Sequence, residues 1–178
     1  QFLNADKPTG KFKIFAPRMK NVEYEIAYQG NRFLIRTNLK AKNFRLMETL
    51  PDKTGVENWK EVIPGRKDVL LEDVEVFDDF FAVAERKNGL LRFRVFNMKD
   101  GTDHYLQFDE PDYYAHFEAN YDFHSSILRY GYTSLKTPNT IYDYNMHTGE
   151  RQLKKQQKVV GGYDPEAYIT ERIYTEAR

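Results

Sequence analysis

Short runs rich in apolar and β-branched residues recur along the chain, and polar loops separate them. Three such runs occupy corresponding places at a spacing of about 48 residues. Runs of this length and content predict β-strands, whereas no segment has the periodicity of an amphipathic helix. The three runs are 32–38 (RFLIRTN), 79–85 (DFFAVAE) and 127–133 (ILRYGYT). The pattern predicts an all-β protein.

Two turn segments strengthen the repeat. Residues 95–101 (VFNMKDG) and 143–149 (DYNMHTG) share an aromatic residue, Asn-Met, two polar residues and a glycine. Each is typical of a strand that ends in a tight turn, with Gly101 and Gly149 supplying the positive φ. Four strands are predicted per repeat, and four-stranded antiparallel units at this spacing are typical of β-propeller blades. A β-sandwich is the alternative, but it does not explain the recurring turns.

The first residues extend this domain plan. Residues 1–3 and 11–16 are predicted to be the third and fourth strands of a blade whose first two strands are absent. The next blade is predicted to have a strand at 44–49. We therefore expect a partial β-propeller that is a piece of a longer protein, with about three blades plus half of a preceding blade. The predicted boundaries are a half blade at 1–17 and blades at 22–65, 69–109 and 113–158.

The amino-acid composition agrees with this fold and argues against nucleic acid and membrane partners. Aromatic residues make up 15% of the chain, and they favour pleated, half-buried surfaces. The 27 basic and 27 acidic side chains balance, so no long-range field would gather nucleic acid or an anionic membrane. No apolar run reaches the ~18 residues of a membrane span. We expect neither a nucleic acid nor a membrane partner, and composition leaves the compartment open between cytoplasm and periplasm.

Residue types that could carry catalysis or bind a metal lack the necessary spacing. The chain has no cysteine, and none of its four histidines has a paired metal-ligand spacing. None of its three serines has the flanking glycines of a nucleophile elbow. Adjacent carboxylates such as Asp109 and Glu110 are more typical of turns than of a glycosidase acid and base. These histidines and serines are His104, His116, His124, His147, Ser125, Ser126 and Ser134. No catalytic residue, cofactor site or metal site is therefore predicted.

Several short motifs, in order along the chain, carry a family resemblance. Residues 129–138 (RYGYTSLKTP) are similar to R-Y-x-Y-x-S-x-x-T-P, and 143–156 (DYNMHTGERQLKKQ) look like D-M-x-T-G-E-R…L-K-Q. Upstream, 15–24, 37–44 and 85–90 match F-x-P-R…E-Y, N-x-x-x-K-N-F and E-R-x-x-G-L. The sequence resembles the oligopeptidase B (protease II) branch of the prolyl oligopeptidase family of serine peptidases.

The resemblance implies a propeller joined to an α/β-hydrolase domain that carries the catalytic Ser, Asp and His. It implies a parent enzyme that cleaves short peptides after Arg or Lys, with the propeller limiting access by substrate size. Residues 161–178 would then be an interdomain linker and the first strand of the hydrolase domain, and the triad would lie beyond Arg178. The partners of this chain would be that domain, the N-terminal blades of the same protein and, for the whole enzyme, short basic peptides.

Loops between the second and third strands of the blades are expected to share one propeller face. Glu85, Arg86 and Arg129 are the candidate interdomain contacts. Pairing within a blade, or a solvated loop charge, is the alternative interpretation of these three side chains. The loops concerned are 38–43, 85–89 and 134–138.

A stand-alone propeller-like module that binds a protein or peptide is the alternative function. The encoding gene distinguishes this module from a peptidase segment, because the gene of a stand-alone module would encode no hydrolase domain after this segment. An open ring leaves blade faces uncovered, so we expect the isolated chain to self-associate. Light scattering that shows a stable monomer at high concentration would contradict that expectation.

Overall fold

The computed structural model describes residues 1–176, and they form an all-β structure. Within these residues, twelve strands make three four-stranded sheets in which consecutive strands are antiparallel neighbours, as in propeller blades. The predicted fold class is thereby confirmed. The chain divides into two compact units, residues 1–67 and the residues from Asp68 onward. The strands are β1 Tyr24–Gln29, β2 Arg32–Thr37, β3 Arg45–Thr49, β4 Lys60–Ile63, β5 Val69–Val76, β6 Phe80–Lys87, β7 Leu90–Asn97, β8 Asp103–Tyr105, β9 Tyr114–Phe117, β10 Ile127–Thr133, β11 Thr140–Asn145 and β12 Arg151–Gln156.

The first unit contains the sheet β1-β2-β3-β4. Its core gathers Phe15, Phe33, Ile35 and Trp59, all of them buried. The strand predicted at 44–49 begins one residue later than expected. The reason is that Phe44 has φ +60°, a left-handed conformation that interrupts the extended backbone.

The first residues pair less extensively than the half-blade prediction requires. Phe2 and Lys13 form an antiparallel bridge, with both N–H···O distances at 2.9 Å. No continuous strand surrounds this bridge within the described residues before Tyr24. Phe12 and Ile14 are largely exposed, so the segment gains little burial that would extend the ladder.

The second unit contains the sheets β5-β6-β7-β8 and β9-β10-β11-β12. Six successive residues of β6, from Phe80 to Glu85, are buried. A strand covered on both faces has a continuous apolar run rather than an alternating one, which explains the run at 79–85. Buried side chains of the two sheets form one aromatic core around Phe93.

The repeated Asn-Met turns make the same backbone hydrogen bonds in both sheets of the second unit. Gly101 and Gly149 have φ +71° and +76°, and their amides donate to the carbonyls of Asn97 and Asn145 at 3.0 and 2.8 Å. The predicted glycine turns are therefore confirmed. The methionine amides then donate to the loop before the second strand of their own sheet, Met98 to Asp79 O at 2.8 Å and Met146 to Ser126 O at 2.9 Å.

Candidate interdomain site

Two loops of the second unit are built to hold a fixed shape. The β6–β7 turn has left-handed Asn88 and Gly89, with φ +51° and +83°. In the β10–β11 loop the Ser134 amide donates to the Thr137 carbonyl at 3.0 Å. The Ser134 hydroxyl in turn accepts from the amides of Lys136 at 3.1 Å and Thr137 at 2.8 Å. Both loops therefore present a defined backbone surface.

Glu85 and Arg86 lie beside the β6–β7 turn, and each has a partner in its own sheet. The Glu85 side chain is fully buried and accepts from the Tyr105 hydroxyl at 2.8 Å. Arg86 makes a two-point pair with Glu72 on β5, and it also donates to the Gly89 carbonyl at 2.8 Å. The pair with Glu72 raises the pKa of the Arg86 guanidinium. Pairing within a blade is thus present at both positions.

Arg129 lies near the start of β10, whereas the β10–β11 loop follows the end of that strand. Its guanidinium donates two hydrogen bonds to the Asp143 carboxylate, at 2.7 and 2.9 Å. This bidentate pair joins Cα partners of β10 and β11, and it lowers the pKa of Asp143. Arg129 is therefore not brought together with Glu85 and Arg86, and a role for the three in an interdomain contact stays a prediction.

Glu110 is a candidate that the sequence does not reveal, because a pair of adjacent carboxylates predicts only a turn. This residue lies between β8 and β9, and its carboxylate accepts from the hydroxyls of Tyr132, Ser134 and Thr137. Burial and the nearby Glu110 raise the pKa of Tyr132, so that hydroxyl remains a neutral donor. The signal in the sequence is the close spacing of three hydroxyl residues, because buried hydroxyls require an acceptor.

The segment that follows β12 runs over these two loops. The Gln157 amide donates to the Asn139 carbonyl at 2.9 Å, and the Tyr163 hydroxyl donates to the Lys136 carbonyl. Farther along, the Arg172 guanidinium donates to the Asn88 carbonyl in the β6–β7 turn. The β6–β7 turn and the β10–β11 loop are thus linked through one stretch of chain.

The strand predicted over the end of the chain is not formed in the part that the structure describes. Residues 168–176 have no strand, and residues 177–178 lie outside the described range. Arg172 makes the main polar contacts of this stretch, and its guanidinium also lies 3.9 Å from Asp112. The assignment of 161–178 to a linker and a first hydrolase strand stays a prediction.

The histidines of the described chain contact polar and aromatic side chains. His104 contacts the Tyr144 hydroxyl at 2.7 Å, and His116 contacts Glu118 at 3.1 Å. Among residues 1–176, no group of three His, Cys, Asp or Glu side chains is placed to hold a metal ion. Within the same residues, no helix is long and apolar enough to cross a membrane.

Comparison with known proteins identifies relatives of the whole described fold. The family described as prolyl oligopeptidase, N-terminal beta-propeller domain, matches residues 2–157. A Pseudoxanthomonas mexicana protein named dipeptidyl aminopeptidase BI is 43% identical over 170 residues, covering 95% of this chain and 23% of the relative. Protease 2 of Moraxella lacunata is 28% identical over 179 residues, covering 99% of this chain and 25% of the relative.

Solved structures of oligopeptidase B are also similar to this chain. Oligopeptidase B from Trypanosoma brucei, in a closed form with covalently bound antipain, has a TM-score of 0.79 and 30% identity over 86% of this chain and 23% of its own. Oligopeptidase B from Leishmania major has a TM-score of 0.76 and 26% identity over 84% of this chain and 22% of its own. The chain therefore spans about a quarter of the length of these relatives. It belongs to the prolyl oligopeptidase family of serine peptidases, within the N-terminal β-propeller domain of that family.

Proposed function

We propose that this chain is the non-catalytic propeller segment of an oligopeptidase B-like serine peptidase that cleaves short peptides after Arg or Lys. The observation that carries the proposal is the likeness of the three sheets to oligopeptidase B, together with that branch's motifs in order along the chain. In this proposal the triad that performs acyl transfer lies in an α/β-hydrolase domain of the same protein.

The propeller contributes exclusion rather than chemistry in this proposal. A rigid wall can admit short peptides and reject folded proteins only if its blades resist deformation. The continuous aromatic core of the second unit supplies such resistance, because close-packed interiors yield little. The partners of the chain are then the hydrolase domain and the remaining blades, and the substrates of the whole enzyme are short basic peptides.

Assays of the full-length gene product test this proposal. Peptides that differ only in the residue before the scissile bond should show a preference for Arg and Lys. A series of increasing length, with the cleavage site kept constant, should show a steep loss of kcat/KM. Equal cleavage after all residues, or equal cleavage of folded proteins, would overturn the specificity and the gating respectively.

A dipeptidyl aminopeptidase is the second candidate, because a 43% identical relative carries that name. Such an enzyme removes dipeptides from a free N-terminus, whereas an endopeptidase tolerates a blocked one. The same peptide with a free and with an acetylated N-terminus separates the two. Activity that is lost on acetylation favours the second candidate. A gene that encodes no hydrolase domain would instead favour the stand-alone module that binds a protein or peptide.

A further inference from the structure

We propose that Glu110 is a positioning residue that fastens the β10–β11 loop and, through that loop, the segment that follows β12. Its carboxylate accepts three hydrogen bonds, from the hydroxyls of Tyr132 at 3.1 Å, Ser134 at 2.5 Å and Thr137 at 2.5 Å. Hydrogen bonds to an ionised acceptor are about twice as strong as neutral ones. One side chain from the β8–β9 connection therefore holds the end of β10 and the loop beyond it.

The Ser134 hydroxyl requires a hydrogen-bond acceptor at position 110. Its oxygen already accepts from two backbone amides, those of Lys136 and Thr137. Both lone pairs are then engaged, so the hydroxyl can act toward Glu110 only as a donor. Ser134 donates to Oε2 of Glu110, whereas Tyr132 and Thr137 donate to Oε1. A glutamine can keep the Ser134 bond on its amide oxygen, but its NH₂ group then faces the other two hydroxyls, which must change from donors to acceptors. Glu110→Gln therefore preserves size, but it replaces hydrogen bonds to a charged acceptor with neutral ones and reverses the direction of two of them.

The fastened loop is the platform on which the following segment rests. The Lys136 carbonyl, in the middle of the loop, accepts the hydroxyl of Tyr163. A cleft of about 380 Å³ lies between the loop and this segment, lined by residues 136–138, 156–159, Tyr163 and Pro165. The Tyr163 ring stacks on Tyr168 with centroids 5.7 Å apart. Displacement of the loop would therefore release Tyr163 and the residues next to it.

The neighbouring carboxylate provides a matched control. Asp109 pairs with Arg151 at 2.9 Å, and its side chain is 79% exposed. Asp109→Asn removes the same charge one position away from Glu110 and leaves the three hydroxyl contacts intact. A difference between the two variants reports the contacts of Glu110 rather than a change in net charge.

The first experiment uses the 178-residue chain. Hydrogen exchange of the amides of Lys136 and Thr137, and the rate of chymotryptic cleavage after Tyr163, are measured for the parent and both variants. In Glu110→Gln we expect both rates to rise about tenfold, the effect of replacing hydrogen bonds to a charged acceptor with weaker neutral ones. Asp109→Asn should behave as the parent does. Equal rates in Glu110→Gln and Asp109→Asn would overturn the proposal.

Two smaller changes keep the test decisive if Glu110→Gln fails to fold, as judged by far-UV circular dichroism. Tyr132→Phe and Thr137→Val each remove one of the three hydroxyl donors while conserving shape. Each should raise both rates, by less than the loss of the carboxylate does. If both variants show the parental rates, the proposal is overturned.

The consequence for substrate access rests on the proposed function. If the segment that follows β12 is held in place, the propeller and the domain after it cannot separate as far. In the full-length peptidase, Glu110→Gln should therefore raise severalfold the ratio of kcat/KM for a long peptide to that for a short one. An unchanged ratio beside a loosened loop would overturn this extension. A full-length protein without peptidase activity would refute the proposed function, while the loop measurements on the chain would still stand.

Discussion

The aromatic core of the second unit gives a quantitative test of how its two sheets are held together. Phe93 on β7 is fully buried. Three aromatic rings surround it, with centroid distances of 4.5 Å to Phe117, 5.6 Å to Tyr130 and 5.7 Å to Phe108. Phe117 on β9 and Tyr130 on β10 belong to the neighbouring sheet. Removing the Phe93 ring should therefore weaken the packing of one sheet on the other.

Phe93→Ala should lower the free energy of unfolding of the second unit by about 4 kcal/mol. Truncation of a buried Phe costs about 3–5 kcal/mol, and each aromatic pair adds about 0.5–1.5 kcal/mol beyond area burial. Phe93→Leu retains most of the volume and should cost about 1–2 kcal/mol. With a urea slope of about 2 kcal/mol/M, the alanine variant loses about 2 M in its midpoint.

Urea unfolding followed by far-UV circular dichroism measures these shifts, and the fluorescence of Trp59 follows the first unit separately. Tyr121→Ala is the control, because that ring is 96% exposed and its loss should change stability by no more than about 0.5 kcal/mol. An alanine variant at Phe93 that unfolds at the parental midpoint, or together with the Tyr121 variant, would refute the packing argument.

Three further predictions concern a titrating carboxyl, a turn and a buried pair. Burial, with a smaller effect of Asp73, raises the pKa of Glu75 from its ordinary 4.5 to about 7. Because the folded protein binds this proton more tightly than the unfolded chain does, the stability that Glu75 contributes is present below pH 4.5 and is lost as the pH rises through 7. Glu75→Gln should accordingly raise the urea midpoint more at pH 8 than at pH 5, and a pH-independent shift would contradict the assigned pKa. Gly149→Ala places a Cβ at φ +76° in ordinary van der Waals contact with the Tyr144 hydroxyl, 3.6 Å away. Because there is no clash, thermal unfolding should show a loss of about 1 kcal/mol from backbone strain alone. An unchanged melting temperature would argue against the turn geometry. Tyr105→Phe removes a donor from the buried carboxylate of Glu85 and should cost about 1–3 kcal/mol in urea unfolding, whereas a neutral effect would mean that the hydroxyl contributes little.

The fold could be predicted from the sequence to the extent that it depends on local patterns. Strands β2 and β10 begin and end within a residue of the predicted runs, because a short run rich in β-branched and aromatic residues between polar loops favours extended backbone. The turns at Gly101 and Gly149 were visible because a positive φ selects glycine. Phe44 was placed in a strand because an aromatic residue favours extended backbone. Its left-handed φ has no local signature.

The candidate site was less predictable because its contacts join distant parts of the chain. The hydroxyls that bind Glu110 lie 22 to 27 positions away in sequence. No periodicity connects residues across such a loop, so the acidic pair containing Glu110 was interpreted only as a turn. From sequence, Arg129 is a candidate interdomain contact, whereas the strand register pairs it with Asp143. That register could have been inferred by aligning β10 with β11 across their predicted connection.

Covalent labelling of the full-length gene product with a serine-directed phosphonate tests the central claim most directly. The probe forms a bond to the nucleophilic serine of a serine peptidase, and peptide mass spectrometry then locates the modified residue. If the chain is the non-catalytic propeller segment of such an enzyme, a single labelled serine will lie outside residues 1–178. Ser125, Ser126 and Ser134 will remain unmodified. A label on one of these three serines, or a folded full-length protein that takes up no label, would contradict the account.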